Sequence, residues 1–206
     1  HPNRFSPDIS VLDEIGLKEN EPYFIMRFNA FKAYHDIGIH GLNIEQKLKL
    51  IRLLEPYGKI FITTERGIEP ELKKYQLTIS PEKIHSLLYY ATMFIGDSQT
   101  MTSEAAVLGT PALKCNSFAG VLSVPNELEN KYQLCFSYKP NEFNKMIIKI
   151  NELLSTPNLK QEWQLRREKM LLDKIDVSAF MVWFVENYPE SVRIMKEIPD
   201  YLQRLK

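Results

Sequence analysis

Apolar residues along the first three quarters of the chain recur in two rhythms. Short runs rich in β-branched and aromatic residues read as strands: YFIMRF at 23–28, KIFITT at 59–64, QLTI at 76–79, MFI at 93–95, ALKC at 112–115 and LCFSY at 134–138. Between them, apolar positions fall three or four residues apart. Ile44, Leu48, Ile51 and Leu54 mark one helical face, Ile84, Leu87 and Leu88 another, and residues 143–154 form a further helix. Ser80, Pro81 and Glu82 carry the signature of a helix start: a capping hydroxyl, proline at the first helical position and an acid in the first turn. Gly109, Thr110 and Pro111 stop the helix that follows the 93–95 run.

Strands alternating with helices predict a parallel sheet covered on both faces. The expected fold is α/β: a Rossmann-like three-layer α/β/α domain with a mostly parallel sheet over residues 1–158. From residue 159 the rhythm is helical only, through WQLRREKMLLDKI and VSAFMVWFVENYP, which predicts a helical C-terminal extension over 159–206. The second of these helices is apolar nearly all round, so it is expected to be covered on several sides. The sheet domain, an upstream domain or a second copy of the chain, as in a homodimer, would supply that cover. Trp163 and Trp183 read as packing residues.

Composition narrows the functional classes. Lys+Arg and Asp+Glu both number 26, so no basic field exists to hold nucleic acid or an anionic membrane. No apolar stretch approaches the roughly 20 residues of a membrane span, and no leader pattern opens the chain, so a cytoplasmic protein is expected. Cys115 and Cys135 lie in apolar runs and are expected to be buried free thiols. The opening HPNRFSPDIS has no initiator Met and reads as chain entering a domain, which predicts a piece of a longer protein.

The candidate chemistry sits in GDSQTMTSEAAVLGTP, residues 96–111. Small polar residues follow a strand and open a helix, the place where open parallel sheets bind ligands. The first N–H groups of a helix lack partners within it, and the helix dipole adds partial positive charge, so a phosphate there accepts several hydrogen bonds. Ser98 and Thr100 add hydroxyl donors without blocking approach. Glu104 lies one turn deeper on the face of Thr100, where a carboxylate can accept from both hydroxyls of a ribose. The alternative from the residues alone is that Asp97 and Ser98 cap the helix and Glu104 is solvated.

The segment IHSLLYYATMFIGDSQTMTSEAAVLGTPAL resembles the nucleotide-binding segment in the C-terminal domain of GT-B-fold enzymes. It is most similar to the UDP-N-acetylglucosamine 2-epimerase type and to an uncharacterised bacterial family linked to capsular polysaccharide genes. In the epimerase pattern an Asp-Ser-Gly-Gly turn holds the diphosphate and a Glu six residues after the Ser holds the ribose, which here implies Ser98 and Glu104. Gln99 and Thr100 stand where the glycines would be, placing two side chains at the phosphate path. RFSPDISVLDEIGL, YFIMRFNAFKAYHDIGIHG and DVSAFMVWFVENYPES extend the resemblance to that bacterial family over nearly the whole chain. It implies an N-terminal domain upstream, no permanently bound cofactor, and UDP or a UDP-sugar as ligand. The enzyme would transfer or isomerise a sugar in making surface polysaccharide.

Other residues take expected places around this site. Arg27 ends the first strand, where a cation would meet phosphate, or it forms an ion pair instead. Ile84 and His85 start the helix that borders the base pocket in the similar enzymes. His35, His40 and Glu65 are the catalytic candidates, the histidines because they exchange protons near neutral pH. No metal site is expected at His35, Asp36 and His40, because neither a cysteine nor a third histidine lies near and the helical spacing of ligands is missing. Asn116, Ser117 and Phe118 follow the next strand and could close over the sugar. Two other classes remain: a dinucleotide oxidoreductase, which lacks its glycine-rich turn in YFIMRFNAFKAY, and a non-catalytic nucleotide-binding or scaffold domain.

Overall fold

The computed structural model describes residues 4–29, 40–64, 67–198 and 200–201. Five parallel strands, β1 (Tyr23–Phe28), β2 (Lys59–Thr64), β3 (Met93–Gly96), β4 (Ala112–Cys115) and β5 (Cys135–Tyr138), form one sheet in the order β2-β1-β3-β4-β5. Every residue of β3 and β4 is buried, as both faces of a covered parallel sheet require. The expected α/β, Rossmann-like architecture is the observed one.

The helices are α1 (Val11–Glu14), α2 (Ile44–Leu54), α3 (Ile84–Tyr90), α4 (Gln99–Val107), α5 (Ser123–Asn130), α6 (Phe143–Leu154), α7 (Leu159–Asp173), α8 (Val177–Glu186) and α9 (Glu190–Glu197). Helices α3, α4 and α5 pack in a row, with α4 and α5 lying against the sheet. Helices α2 and α6 are joined where Lys49 Nζ donates to Asn144 Oδ1 at 3.3 Å.

Three local expectations are corrected. Residues 76–79 are not a strand: one parallel bridge, Ile62 to Gln76, and one hydrogen bond, Leu77 N–H to the Ile62 carbonyl at 2.8 Å, tie them to β2. The chain then turns at Ser80 into the 3₁₀ turn Pro81–Lys83, too soon for a ladder to extend. Ser80 offers no side-chain cap, and the helical start is carried by the Lys83 N–H bonding the Ser80 carbonyl at 3.0 Å. The buried face of α2 is Lys47, Leu50, Ile51 and Leu54, not one centred on Leu48. Lys47 faces inward because its ammonium meets Glu69 Oε1 at 2.8 Å and lies 4.4 Å from the centre of the Phe28 ring.

The chain groups into two compact units, Pro7–Arg167 and His1–Ser6 with Glu168–Lys206. The helical rhythm starts at residue 159, yet the first part of α7 belongs with the sheet. Trp163 is 1% exposed, donates from Nε1 to the Leu134 carbonyl at 2.8 Å and meets Phe136 edge-on. In the smaller unit, Asp176 caps α8 by accepting from the Ala179 N–H at 3.0 Å, and Arg4 Nε lies 3.5 Å from its other oxygen. Trp183 stacks on Tyr201 with ring centres 4.7 Å apart, and Phe180 and Phe184 lie beside it. Within the chain, Val177, Met181, Val182 and Val185 of α8 are all more than half exposed. The buried Cys115 and Cys135 are free thiols, as expected.

Candidate functional site

The strand order decides where a ligand can sit. β2 lies on one side of β1 and β3 on the other, so the connections leaving β1 and β3 part at their carboxyl ends and leave a crevice there. Arg27 and Gly96 are register partners across that boundary. A Cβ at Gly96 would stand 2.2 Å from the Arg27 carbonyl oxygen, so only glycine lets β3 end so close to β1. The Asp97 N–H then donates to that carbonyl at 3.1 Å, and Asp97 Oδ1 accepts from the Asn29 N–H at 2.7 Å.

Helix α4 begins two residues later, at Gln99. Ser98 is its N-cap, its hydroxyl accepting from the Met101 N–H at 3.4 Å, while the Thr102 N–H bonds the Ser98 carbonyl at 3.3 Å. Ser98 is therefore the capping residue, a role the sequence left open, and the buried Asp97 is not the cap. Among the described residues the N–H groups of Gln99 and Thr100 meet no acceptor, and Thr100 is exposed. A helix of nine residues with two outward N–H groups offers an anion both donors and dipole.

The Gln99 side chain turns into the fold. Its Oε1 accepts from the Lys114 ammonium and its Nε2 donates to Asn116 Oδ1 at 3.2 Å. Asn116, fully buried after β4, donates from Nδ2 to the Asp97 carbonyl at 2.7 Å and accepts from the Phe118 N–H at 3.0 Å. Asn116 thus braces the turn rather than presenting its amide to a sugar. Sequence reading missed Lys114; the signal available was a lysine inside the apolar run ALKC.

Glu104 and His85 come together: His85 Nε2 is 3.6 Å from Glu104 Oε1, with both side chains part-exposed. Beside them a cavity of about 350 Å³ opens at the ends of β1 and β2. Arg27, Ile62, Ile79, Ile84 and Met101 are among its lining residues, so Arg27 and the expected base-pocket residue Ile84 share one space. Thr63 Oγ1 contacts Met101 Sδ at 4.0 Å across it. The loop after β4 holds His40, whose N–H donates to Ser117 Oγ at 3.1 Å and whose carbonyl accepts from the Ser117 N–H at 3.1 Å. His40 is exposed. The catalytic candidates His35 and Glu65 lie outside the described residues. Among the described residues no three His, Cys, Asp or Glu side chains gather as metal ligands, and no helix is long and apolar enough to cross a membrane.

A doubly wound parallel sheet with a crevice at its switch point is a GT-B-like fold. Residues 3–188 match the family described as "Protein of unknown function (DUF354)", and the chain belongs to that family. Among curated proteins none matches the chain. Of the solved structures it is similar to, CalG4, the calicheamicin glycosyltransferase, superposes with a TM-score of 0.52 at 12% identity, over 84% of this chain and 44% of that one. A UDP-N-acetylglucosamine 2-epimerase gives 0.45 at 14% identity over 78% and 41%, and the spinosyn forosaminyltransferase SpnP 0.43 at 14% over 97% and 49%. The chain spans less than half the length of each of these proteins.

Proposed function

We propose that the carboxyl edge of the sheet binds a nucleoside diphosphate sugar, with UDP as the carrier, as one half of an enzyme that transfers or epimerises the sugar in surface polysaccharide synthesis. The observation that carries this reading is the α4 start: two outward N–H groups, with the Glu104 carboxylate one turn deeper on the same helix and a cavity of mixed polar and apolar lining nearby. The diphosphate accepts from Gln99 and Thr100 N–H and from the Thr100 hydroxyl. Arg27, a lining residue of the cavity at the end of β1, adds positive charge. The ribose hydroxyls donate to Glu104, and the base enters the cavity against Ile84 and Met101, with His85 at its edge.

Fixed donors at the diphosphate would stabilise the charge that develops as the nucleotide leaves, without a bound metal. His40, whose backbone bonds Ser117 beyond the end of β4, stands with His35 and Glu65 as a catalytic candidate from the sequence. An upstream domain of the same protein would close the site over the sugar, and a chain acting in this synthesis would work in the cytoplasm.

The test is calorimetric titration of the chain with UDP and other nucleoside diphosphates, followed by incubation with a panel of nucleotide sugars. Saturable binding of UDP with a preference over UMP is the expected result. Absence of binding to any nucleoside diphosphate overturns the reading. Binding without release of UDP or change in the sugar, when the upstream domain is present, favours the non-catalytic alternative.

A further inference from the structure

Among the described residues two lysines, Lys47 and Lys114, are buried, and they solve the problem of charge differently. Lys47 is 1% exposed and meets the carboxylate of Glu69 at 2.8 Å, the usual solution. Lys114 has no exposure at all and sits inside β4, yet its ammonium donates to a neutral amide, Gln99 Oε1. Among the described residues no carboxylate stands at ion-pair distance from it; Glu129 acts only from farther away. The buried Asp97 carboxylate of the neighbouring turn accepts instead from the Asn29 N–H. Burial pushes the Lys114 amine below its ordinary range, as expected for a cation taken from water without a counter-charge.

A lone buried charge is destabilising, and a fold can shed it by replacing the lysine with an apolar residue of similar length. Its position gives the reason to keep it. Gln99 is the first residue of α4, and the amide that holds Lys114 continues to Asn116 and from there to the Asp97 carbonyl, so the ammonium lies behind the first turn whose N–H groups face outward. We propose that Lys114 is the buried positive charge of the anion site at the start of α4, held in place by Gln99 and balanced by the phosphates of the bound ligand. Lys114 is a positioning residue: its field, and the orientation it gives Gln99, act on an anion that the ammonium itself does not touch. The inference rests on the anion-binding part of the nucleotide reading and gives the chain a charge requirement that the helix dipole alone does not.

The experiment compares wild type with Lys114→Met in titrations with inorganic pyrophosphate, UDP and uridine, and in thermal melts without ligand. Lys114→Met is expected to lose affinity for pyrophosphate and UDP at least ten-fold, to treat uridine as wild type does, and to melt at a higher temperature when empty. Unchanged affinity for pyrophosphate and UDP overturns the inference while leaving the nucleotide reading intact, and so does an equal loss for uridine with a lower melting temperature. Lys114-dependent binding of pyrophosphate by a chain that ignores UDP sustains the inference and overturns the nucleotide reading. A wild type that binds none of the three overturns both. Lys114→Gln, which keeps a hydrogen-bonding end, carries the same comparison should the methionine variant fail to fold.

Discussion

His85 Nε2 stands 3.6 Å from Glu104 Oε1, joining the start of α3 to the second turn of α4. The side chains are 46% and 33% exposed, so the pair is worth at most about 1 kcal/mol and leaves the carboxylate available to a ribose. His85→Ala is therefore expected to change UDP affinity by no more than about five-fold. Glu104→Ala removes charge-assisted hydrogen bonds of roughly 1.5 to 3 kcal/mol each and should weaken UDP by about ten-fold to a few hundred-fold. It should also abolish discrimination between UDP and its 2′-deoxy analogue. Calorimetry on both variants checks this, and a Glu104→Ala protein that binds UDP as wild type does returns Glu104 to the role of a solvated helix residue.

Thr100 is the second residue of α4, where proline fits the helix and removes both the outward N–H and the side-chain hydroxyl. Thr100→Pro should weaken UDP and 2′-deoxy-UDP alike, by about ten-fold, with circular dichroism unchanged. A loss confined to one of the two nucleotides contradicts the phosphate assignment.

Trp163 is the core tryptophan of the larger unit, while Trp183 is only half-buried. Trp163→Ala deletes a ring that is 1% exposed and leaves the Leu134 carbonyl without its donor. A loss of roughly 3 to 5 kcal/mol in chemical denaturation is expected. A change within error would place the indole outside the core.

Lys160 donates to the Thr110 hydroxyl at 3.2 Å and to the Tyr89 carbonyl, and burial, helped by Arg167, lowers its amine from 10.5 to about 8. Below pH 8 both folded and unfolded chains hold the proton, and the penalty for burying the charge is complete. Between pH 8 and 10.5 the unfolded chain binds more protons, so this group makes stability rise with pH, by about 3 kcal/mol over the whole interval. Lys160→Met should show a smaller rise than wild type when denaturation free energies are compared from pH 7.5 to 10. Parallel curves would mean that the amine titrates normally.

Burial pushes the thiols of Cys115 and Cys135 up to about 12. Thiolate is the reactive form, so neither should react with iodoacetamide in the native protein at pH 8, and both should in denaturant. Rapid native labelling detected by mass spectrometry would show that β4 or β5 opens.

The parts of the fold whose causes are local were legible along the chain. Side-chain periodicity marked β1 to β5 and α2, α3 and α6, and the polar turn after the 93–95 run marked the start of α4, because alternation, capping and glycine preference act over a few residues, while α5 carried no pattern that was read. Ser98, Thr100 and Glu104 were legible for the same reason: their spacing on one helix is fixed by its pitch. Local pattern also misled where a partner decides the outcome. Residues 76–79 have strand composition but only one bridge to β2, and Lys47 looks like a surface residue until Glu69 and Phe28 meet it. The strand order came from long-range pairing alone, and with it the crevice that sets Arg27 beside Gly96, Ile84 with Met101 along one cavity and His85 beside Glu104. It alone placed Lys114 under the first turn of α4, because a buried charge is defined by what surrounds it, and those neighbours come from β3, α4 and the loop after β4, brought together only by the pairing of strands.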